Sequence, residues 1–334
     1  MNDKSAKKQN FPKPKVIDQL NEDGYKIPIF RAAMELEVWA KVAAGENTAV
    51  ILAEKEDWDV HGTQVLLDDL CALKLLKKRG NRYGLTTEAE YFLLPDKPTY
   101  QVSFLKKEFQ WEGNGQLAKA IRTGKRPIHY KATKDDAADI WIGFYACDWA
   151  DPQSYLESAN ALWKTLKIRP RTRLRILDIA CGPAPKTFAL AMGNPGVRIT
   201  LVDWGQVLKT SLEFADKLGV KKQVTTNAGN LFSADFGLNQ FDLAFLGNIT
   251  HFLNPEENRR LFQKTYGALV HEGVLALDAH RHEYPNPAGP ELWFYAVSKG
   301  GAAYSFQEYK VMLEQAGFTK IEDVAKRPIK AVKP

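Results

Sequence analysis

The stretch Leu174-Arg175-Ile176-Leu177-Asp178-Ile179-Ala180-Cys181-Gly182-Pro183-Ala184 decides how this chain is read. Its apolar first half has the length of a buried strand, and the small residues that follow form a turn that opens a helix. A ligand at such a turn lies against the carboxyl end of a strand, where small side chains admit it to the main chain. Ala180, Gly182 and Ala184 are small enough for that, the alanines being expected to keep negative φ. Asp178 stands where it reaches a cationic amino group. Beyond the turn, strand-like and helix-like segments alternate: FALAMG, VRITLVDW, VLKTSLEFADKLG, QVTTNAGN, FDLAFLGNI, ENRRLFQKTYGALV, GVLALDAH and SFQEYKVMLEQAGF. Repeated βα units of this kind predict an α/β fold with a mostly parallel, doubly wound sheet over residues 169–334.

A second chemical feature closes the next strand. Asp203 follows the turn by about twenty residues, the place from which a carboxylate accepts both hydroxyls of a ribose. Nicotinamide enzymes share that layout, but the GxGxxG fingerprint is absent here, as is GxxxxGK[ST]. An adenosyl ligand without a pyrophosphate fits these residues better.

Working toward the N-terminus, residues 1–24 read as a flexible basic arm, with Pro12 and Pro14 among lysines. Residues 25–110 open with IFRAAMELEVWAKVAAG, which places Ile29, Ala33, Leu36, Ala40 and Ala43 on one face of a helix ended by Gly45. Thr48 caps a shorter helix, Leu66, Leu70 and Leu73 line a third, and Gly80-Asn81 marks a hairpin turn. Three helices and a basic hairpin predict a winged helix. On DNA, Lys77, Lys78, Arg79 and Arg82 would meet phosphates; in a dimerisation domain they face solvent. Apolar helices and the aromatic residues Phe104, Phe109 and Trp111 favour the dimer, with no nucleic-acid partner expected. Residues 111–168, carrying Trp141, Phe144, Tyr145, Trp149, Tyr155 and Trp163, read as a helical connector and one wall of a substrate pocket.

Bulk properties bound these readings. At 334 residues the chain holds more than one core, and a net charge of +6 is mild for that length. No apolar run spans a bilayer and no leader sequence is recognised, so a cytoplasmic location is expected. Cys71, Cys147 and Cys181 lack metal or disulfide spacing, in keeping with a reducing compartment. His280 and His282, with Glu283, read as a solvated loop, and no metal is expected.

The ordered set LDIACGPA, VDW, AGNLF, GNITHFLNPEENRRLF and AGF, after a winged helix, resembles the class I S-adenosylmethionine-dependent O-methyltransferases of plant caffeate type and their bacterial relatives. The resemblance runs from about residue 28 to residue 334. It implies a Rossmann-like catalytic domain, a homodimer formed through the N-terminal domain and S-adenosylmethionine as cofactor. The turn from Asp178 through Ala184 would hold the methionine portion, and Asp203 the ribose. Trp204 and Asn230 would meet adenine, with Leu231, Gly247 and Asn248 completing the cofactor site. His251 falls on the family's general base, suited to removing a proton from a hydroxyl at neutral pH. Asp278 matches its orienting carboxylate after a one-residue gap. The family's further glutamate, after a double glycine, is missing, since Gly300-Gly301 leads into Ala302, Ala303 and Tyr304. Glu291 or Tyr304 would stand in for it, and Trp141, Tyr145 and Trp293 would wall the acceptor. Other readings are S- or N-methylation with His251 as a substrate contact, a rearrangement that leaves the cofactor unconsumed, and a winged-helix regulator with a ligand-sensing domain.

Overall fold

The computed structural model describes residues 13–102, 105–106, 115–126, 138–146, 150, 152–168, 173–283, 290–298, 300–325 and 327–334. Two compact units divide the chain, residues 1–97 and 98–334. Among the described residues, no helix is long and apolar enough to cross a membrane.

The first unit contains α1 (Lys15–Glu35), α2 (Val38–Ala43), α3 (Ala49–Glu56), α4 (Val60–Ala72), the hairpin β1 (Leu76–Arg79) and β2 (Arg82–Leu85), and α5 (Thr87–Phe92). Helix α1 begins at Lys15, so the flexible arm expected over residues 1–24 gives way to helix at that point. The single helix expected from Ile29 to Gly45 is also two. Glu37 takes a left-handed φ of 54°, which resets the phase of the turn. Val38, Trp39 and Val42 are therefore buried, whereas Ala40 and Ala43 are exposed. In α4 the buried face is Thr63, Leu67 and Leu70, with Leu66 and Leu73 half-buried beside it. The Thr48 hydroxyl accepts from the Ile51 amide, capping α3 as expected. Within the hairpin, Lys78 Nζ lies 2.6 Å from Asp68, and the Tyr83 hydroxyl donates to the same carboxylate at 2.7 Å. The wing is thus fastened to α4 through Asp68.

The second unit begins with α6 (Leu117–Thr123), α7 (Ala138–Phe144) and α8 (Pro152–Thr165), followed by the sheet. Its elements are β3 (Leu174–Ile179), α9 (Pro185–Ala191), β4 (Val197–Asp203), α10 (Gly205–Lys217), β5 (Val224–Ala228), β6 (Phe241–Gly247), α11 (Pro255–Ala268), β7 (Leu269–Asp278), α12 (Pro290–Val297), α13 (Phe306–Gln315), β8 (Thr319–Asp323) and β9 (Pro328–Val332). Strand order is β5-β4-β3-β6-β7-β9-β8. The first five strands are parallel, and β9 and β8 close one side antiparallel. The apolar runs form central strands because helices cover both faces, so Ile176, Leu177, Ile179, Ala244 and Leu246 are all buried. Strand order reverses between β3 and β6, which opens a crevice at their carboxyl ends. That switch point locates the site.

Candidate active site

The turn after β3 is held from several directions. The Asp203 carboxylate accepts the Gly182 amide at 2.9 Å and the Trp204 amide at 2.7 Å. Thr187 donates its hydroxyl to Asp178 at 2.6 Å, and Ser211 donates to the Gly182 carbonyl at 2.5 Å. Gly182 has φ +52°, and a Cβ there would sit 3.2 Å from the Tyr145 ring. Glycine is therefore favoured here, by its backbone angle and by the closeness of the Tyr145 ring.

Ala180 and Ala184 depart from expectation. Both take φ of 54°, in the left-handed region, instead of negative values. The main chain keeps the path of a glycine turn although two of its positions carry Cβ atoms. An L-residue there costs roughly 1–2 kcal/mol, of which glycine's greater freedom in the unfolded chain returns part. Ala180→Gly should accordingly raise stability by about 0.5–1 kcal/mol. Chemical denaturation measures it, and an unchanged or lower midpoint would show that the alanine methyl makes compensating contacts.

Tyr145, Asp178, Ala180, Cys181, Pro183–Lys186, Phe245, Gly247 and Asn248 line the crevice. Burial pushes the Asp178 carboxyl up to about 7 despite the Thr187 bond, and pushes Asp203 up to about 6 despite its two amide donors. Such groups favour a ligand that brings a cation and hydroxyl donors. The small turn, the two buried acids and the crevice at the switch point together fit an amino acid joined to a nucleoside. Raised acids bind more protons in the native state than in the unfolded one, so their contribution to stability falls as pH rises from about 4 through 7. Binding an ammonium and ribose hydroxyls should release part of those protons. The calorimetric enthalpy of S-adenosylhomocysteine binding near pH 6.5 should therefore differ between buffers of low and high ionisation heat. Equal enthalpies in both would remove the coupling.

Of the other expected cofactor positions, Gly247 and Asn248 line this crevice, whereas Trp204, Asn230 and Leu231 are not among its lining residues. The Asn230 side-chain oxygen accepts from the Phe232 amide at 2.8 Å, so it caps its own loop. Leu231 packs half-buried against the core, and Trp204 is half-buried at the start of α10. Asn248, at φ +57°, donates its amide to the Asp278 carbonyl at 2.8 Å.

His251 lies in a one-turn 3-10 helix, Thr250–Phe252. Asn258 donates to the carbonyls of Thr250 and Leu253, and Thr250 shares a hydrogen bond with Tyr309 at 2.7 Å. A Cβ on Gly301 would fall 2.1 Å from the His251 carbonyl, so the later loop presses directly on this turn. The imidazole is 2% exposed and stacks on Phe294 with ring centroids 4.0 Å apart. His280 stands 5.3 Å away, and Trp141 packs on the neighbouring Phe252 at 5.4 Å. Burial, His280 and Arg327 hold the imidazole well below its ordinary pKa. It is neutral at physiological pH, and among the described residues its Nδ1 has no hydrogen-bond partner.

Asp278 does not orient His251, contrary to the sequence expectation. One of its oxygens meets Lys186 Nζ at 2.6 Å and the other Arg327 Nε at 3.0 Å. Sheet register is the cause: Asp278 pairs with Pro328, which brings Arg327 alongside the end of β7. Burial would raise the Asp278 carboxyl, but Lys186 and Arg327 hold it below the usual range. Tyr304 is also not a free acceptor contact, since its hydroxyl donates to the Leu253 carbonyl at 2.7 Å. Glu291 is exposed on α12, and the Trp293 side chain lies outside the described residues. Among the described residues no group of three or more potential ligands could hold a metal ion.

Lys186 and Arg327 were missed from the sequence. Lys186 left a signal, because a lysine in the first turn of PKTFALA opposes the helix dipole and needs a carboxylate nearby. Arg327 left none, since only the antiparallel register of β9 brings it to the site.

Comparison with known proteins agrees with this geometry. Residues 176–273 match the family model described as a methyltransferase domain. A curated relative, 3-hydroxy-5-methyl-1-naphthoate 3-O-methyltransferase of Streptomyces sahachiroi, is 24% identical over 93% of this chain and 91% of its own. The S-adenosyl-L-methionine-dependent methyl transferase PigF of Serratia is 24% identical over 88% of each chain. Its structure with SAH superposes with a TM-score of 0.73 at 20% identity, covering 97% of this chain and 99% of that one. Human N-acetylserotonin methyltransferase in complex with SAM gives a TM-score of 0.64 at 21% identity, covering 97% and 99%. The chain is an S-adenosylmethionine-dependent methyltransferase, related to O-methyltransferases over nearly its whole length.

Proposed function

We propose that this enzyme methylates a hydroxyl of a small aromatic acceptor, with His251 as the general base. The observation that carries the reading is a neutral, buried histidine in an aromatic nest, on the loop that follows the strand lining the cofactor crevice. When bound, S-adenosylmethionine supplies an electrophilic methyl on a sulfonium. Asp178 and Asp203 would hold its amino and ribose groups, and the turn from Ala180 to Ala184 would lie along it. Phe252, Phe294 and Trp141 offer the ring faces against which an aromatic acceptor packs and which exclude water from the hydroxyl. His251 accepts the hydroxyl proton as the oxygen attacks, without help from Asp278. Burial, His280 and Arg327 all disfavour the imidazolium, so the proton is passed on instead of being held on His251. Methyl-labelled S-adenosylmethionine offered with phenols, aromatic amines and thiols tests the assignment. Label in an aryl ether supports it, and label confined to an amine or thioether would replace it by N- or S-methylation.

The first unit leaves Val16, Ile17 and Leu20 on α1 exposed, with Val50, Ile51, Val60 and Val65 on α3 and α4. These exposed apolar side chains support the second part of the proposal, a homodimer through the N-terminal domain.

A further inference from the structure

The side chain of Lys186 crosses the floor of the cofactor crevice. It starts in the first turn of α9, just past Ala184, and its ammonium ends 2.6 Å from a carboxylate oxygen of Asp278. Strand β6 lies between β3 and β7 in the sheet, so the side chain spans from the turn after β3 to the end of β7. On the way Nζ stands 5.6 Å from the centroid of Phe245, a ring that lines the crevice together with Lys186. Asp278 pairs in register with Gly247, and its carbonyl accepts the amide of Asn248, two further lining residues. An ammonium has three N–H donors, of which Asp278 takes one. Among the described residues the other two meet no acceptor, although the side chain is only 12% exposed. Lys333, half-buried in the same unit, ends on the Asn239 side chain and on the carbonyls of Tyr266 and Leu269. Donors left unspent in a poorly solvated place favour an acceptor that a ligand brings. The same crevice is lined by an acid. Asp178 spends one oxygen on Thr187, and the charge of Lys186 opposes the upward push of burial on its carboxyl. One acid and one base therefore border a crevice whose ligand carries one ammonium and one carboxylate at its amino-acid end.

We propose that Lys186, held extended by Asp278, binds the carboxylate of the cofactor's methionine portion, while Asp178 takes the ammonium. The inference rests on the assignment of Asp178 made above, and it deepens the cofactor site by one residue. It also gives Asp278 a task other than orienting His251: Asp278 is the positioning residue for Lys186. An ammonium already fixed on one carboxylate loses little freedom on taking a second acceptor. The second oxygen of Asp278 is occupied by Arg327, so the charge of Asp278 is shared and opposes an incoming carboxylate less. A charge-assisted bond in a poorly solvated crevice is stronger than the neutral amide bonds of the turn alone.

The test is calorimetric titration of the full chain with S-adenosylhomocysteine, with its decarboxylated amine, which lacks only the carboxylate, and with methylthioadenosine, which lacks the ammonium as well. The wild-type protein should bind S-adenosylhomocysteine about tenfold or more tighter than the amine. In K186M that ratio should fall to near one, while methylthioadenosine affinity stays within about twofold. K186R, which keeps the charge, should retain part of the ratio. A wild-type ratio near one, or a ratio that survives in K186M, would overturn the proposal. Equal weakening of all three ligands in K186M would also overturn it, because Lys186 would then only shape the crevice. Should K186M not fold, the crystal structure of the wild-type complex with S-adenosylhomocysteine decides. Nζ within about 3.2 Å of a carboxylate oxygen supports the assignment, and a carboxylate held on main-chain amides alone overturns it. The amine set against methylthioadenosine reads Asp178 separately from Lys186. Failure of all three ligands to bind the wild-type protein is a distinct result that sinks the cofactor reading and this proposal with it.

Discussion

His251→Ala should lower the methyl-transfer rate by roughly 100- to 10,000-fold while changing S-adenosylhomocysteine affinity by less than about threefold. The expectation follows from position and protonation state. His251 is buried, stacked on Phe294 and absent from the residues that line the cofactor crevice. It is held neutral by burial, by His280 and by Arg327, so it is ready to take a proton. The pH dependence follows with its sign. A pKa depressed below the ordinary 6.5 leaves the imidazole unprotonated over the whole neutral range, so the wild-type rate should be flat above about pH 6.5 and fall only in more acidic solution. The same residue adds an acid-side loss of stability, because the unfolded chain takes up a proton below about pH 6.5 that the native chain refuses. Steady-state rates of the two proteins, set beside their cofactor titrations, separate the roles. A variant that turns over at the wild-type rate would show that the acceptor needs no base.

Asp203→Ala should weaken S-adenosylmethionine and S-adenosylhomocysteine by about 100-fold, since each hydrogen bond to a charged group is worth about 1.5–3 kcal/mol. The carboxylate already accepts the Gly182 and Trp204 amides, so it shapes the turn as well as the ribose site. Asp203→Asn separates those tasks. An amide oxygen keeps one acceptor for the turn, whereas its NH2 group cannot accept a ribose hydroxyl. The asparagine variant should fold with stability near wild type at neutral pH, because removing a buried acid pushed up to about 6 offsets the one turn bond that the NH2 group cannot accept. Its cofactor affinity should still fall. Wild-type affinity in both variants would remove Asp203 from the cofactor site, and the proton release predicted for binding would then have to come from Asp178 alone.

Much of the architecture was legible in local sequence. Period-two and buried-run patterns located the strands, and the position of Gly182 between small residues marked the turn at the switch point. The N-terminal helices and hairpin were equally readable, down to the Thr48 cap and the Gly80-Asn81 turn. Errors fell where one residue changes the phase or the path of the chain. Glu37 splits a helix through a left-handed φ, and Ala180 and Ala184 adopt the same conformation, which composition alone argues against. Those angles are imposed by neighbours. The Ala180 amide bonds to the Val202 carbonyl at 2.8 Å, and the Ala184 amide to the Cys181 carbonyl at 3.0 Å.

Sequence alone determined the fold class and the cofactor crevice of this protein, because both depend on contacts between residues close in the chain or repeated at a fixed period. Asp178 and Asp203 could be named for the same reason, each at or near the end of a strand, whereas His251, the proposed base, was pointed to by the family resemblance. Only the tertiary structure decided which charges meet. Asp278 is drawn to Lys186, 92 residues away, and Arg327, 49 residues away, and not to the nearer His251. The physical reason is that β9 runs antiparallel beside β7, and its register delivers a guanidinium to the carboxyl end of a strand that would otherwise leave Asp278 for His251. A buried carboxylate takes the cations it can reach, and reach is set by the sheet.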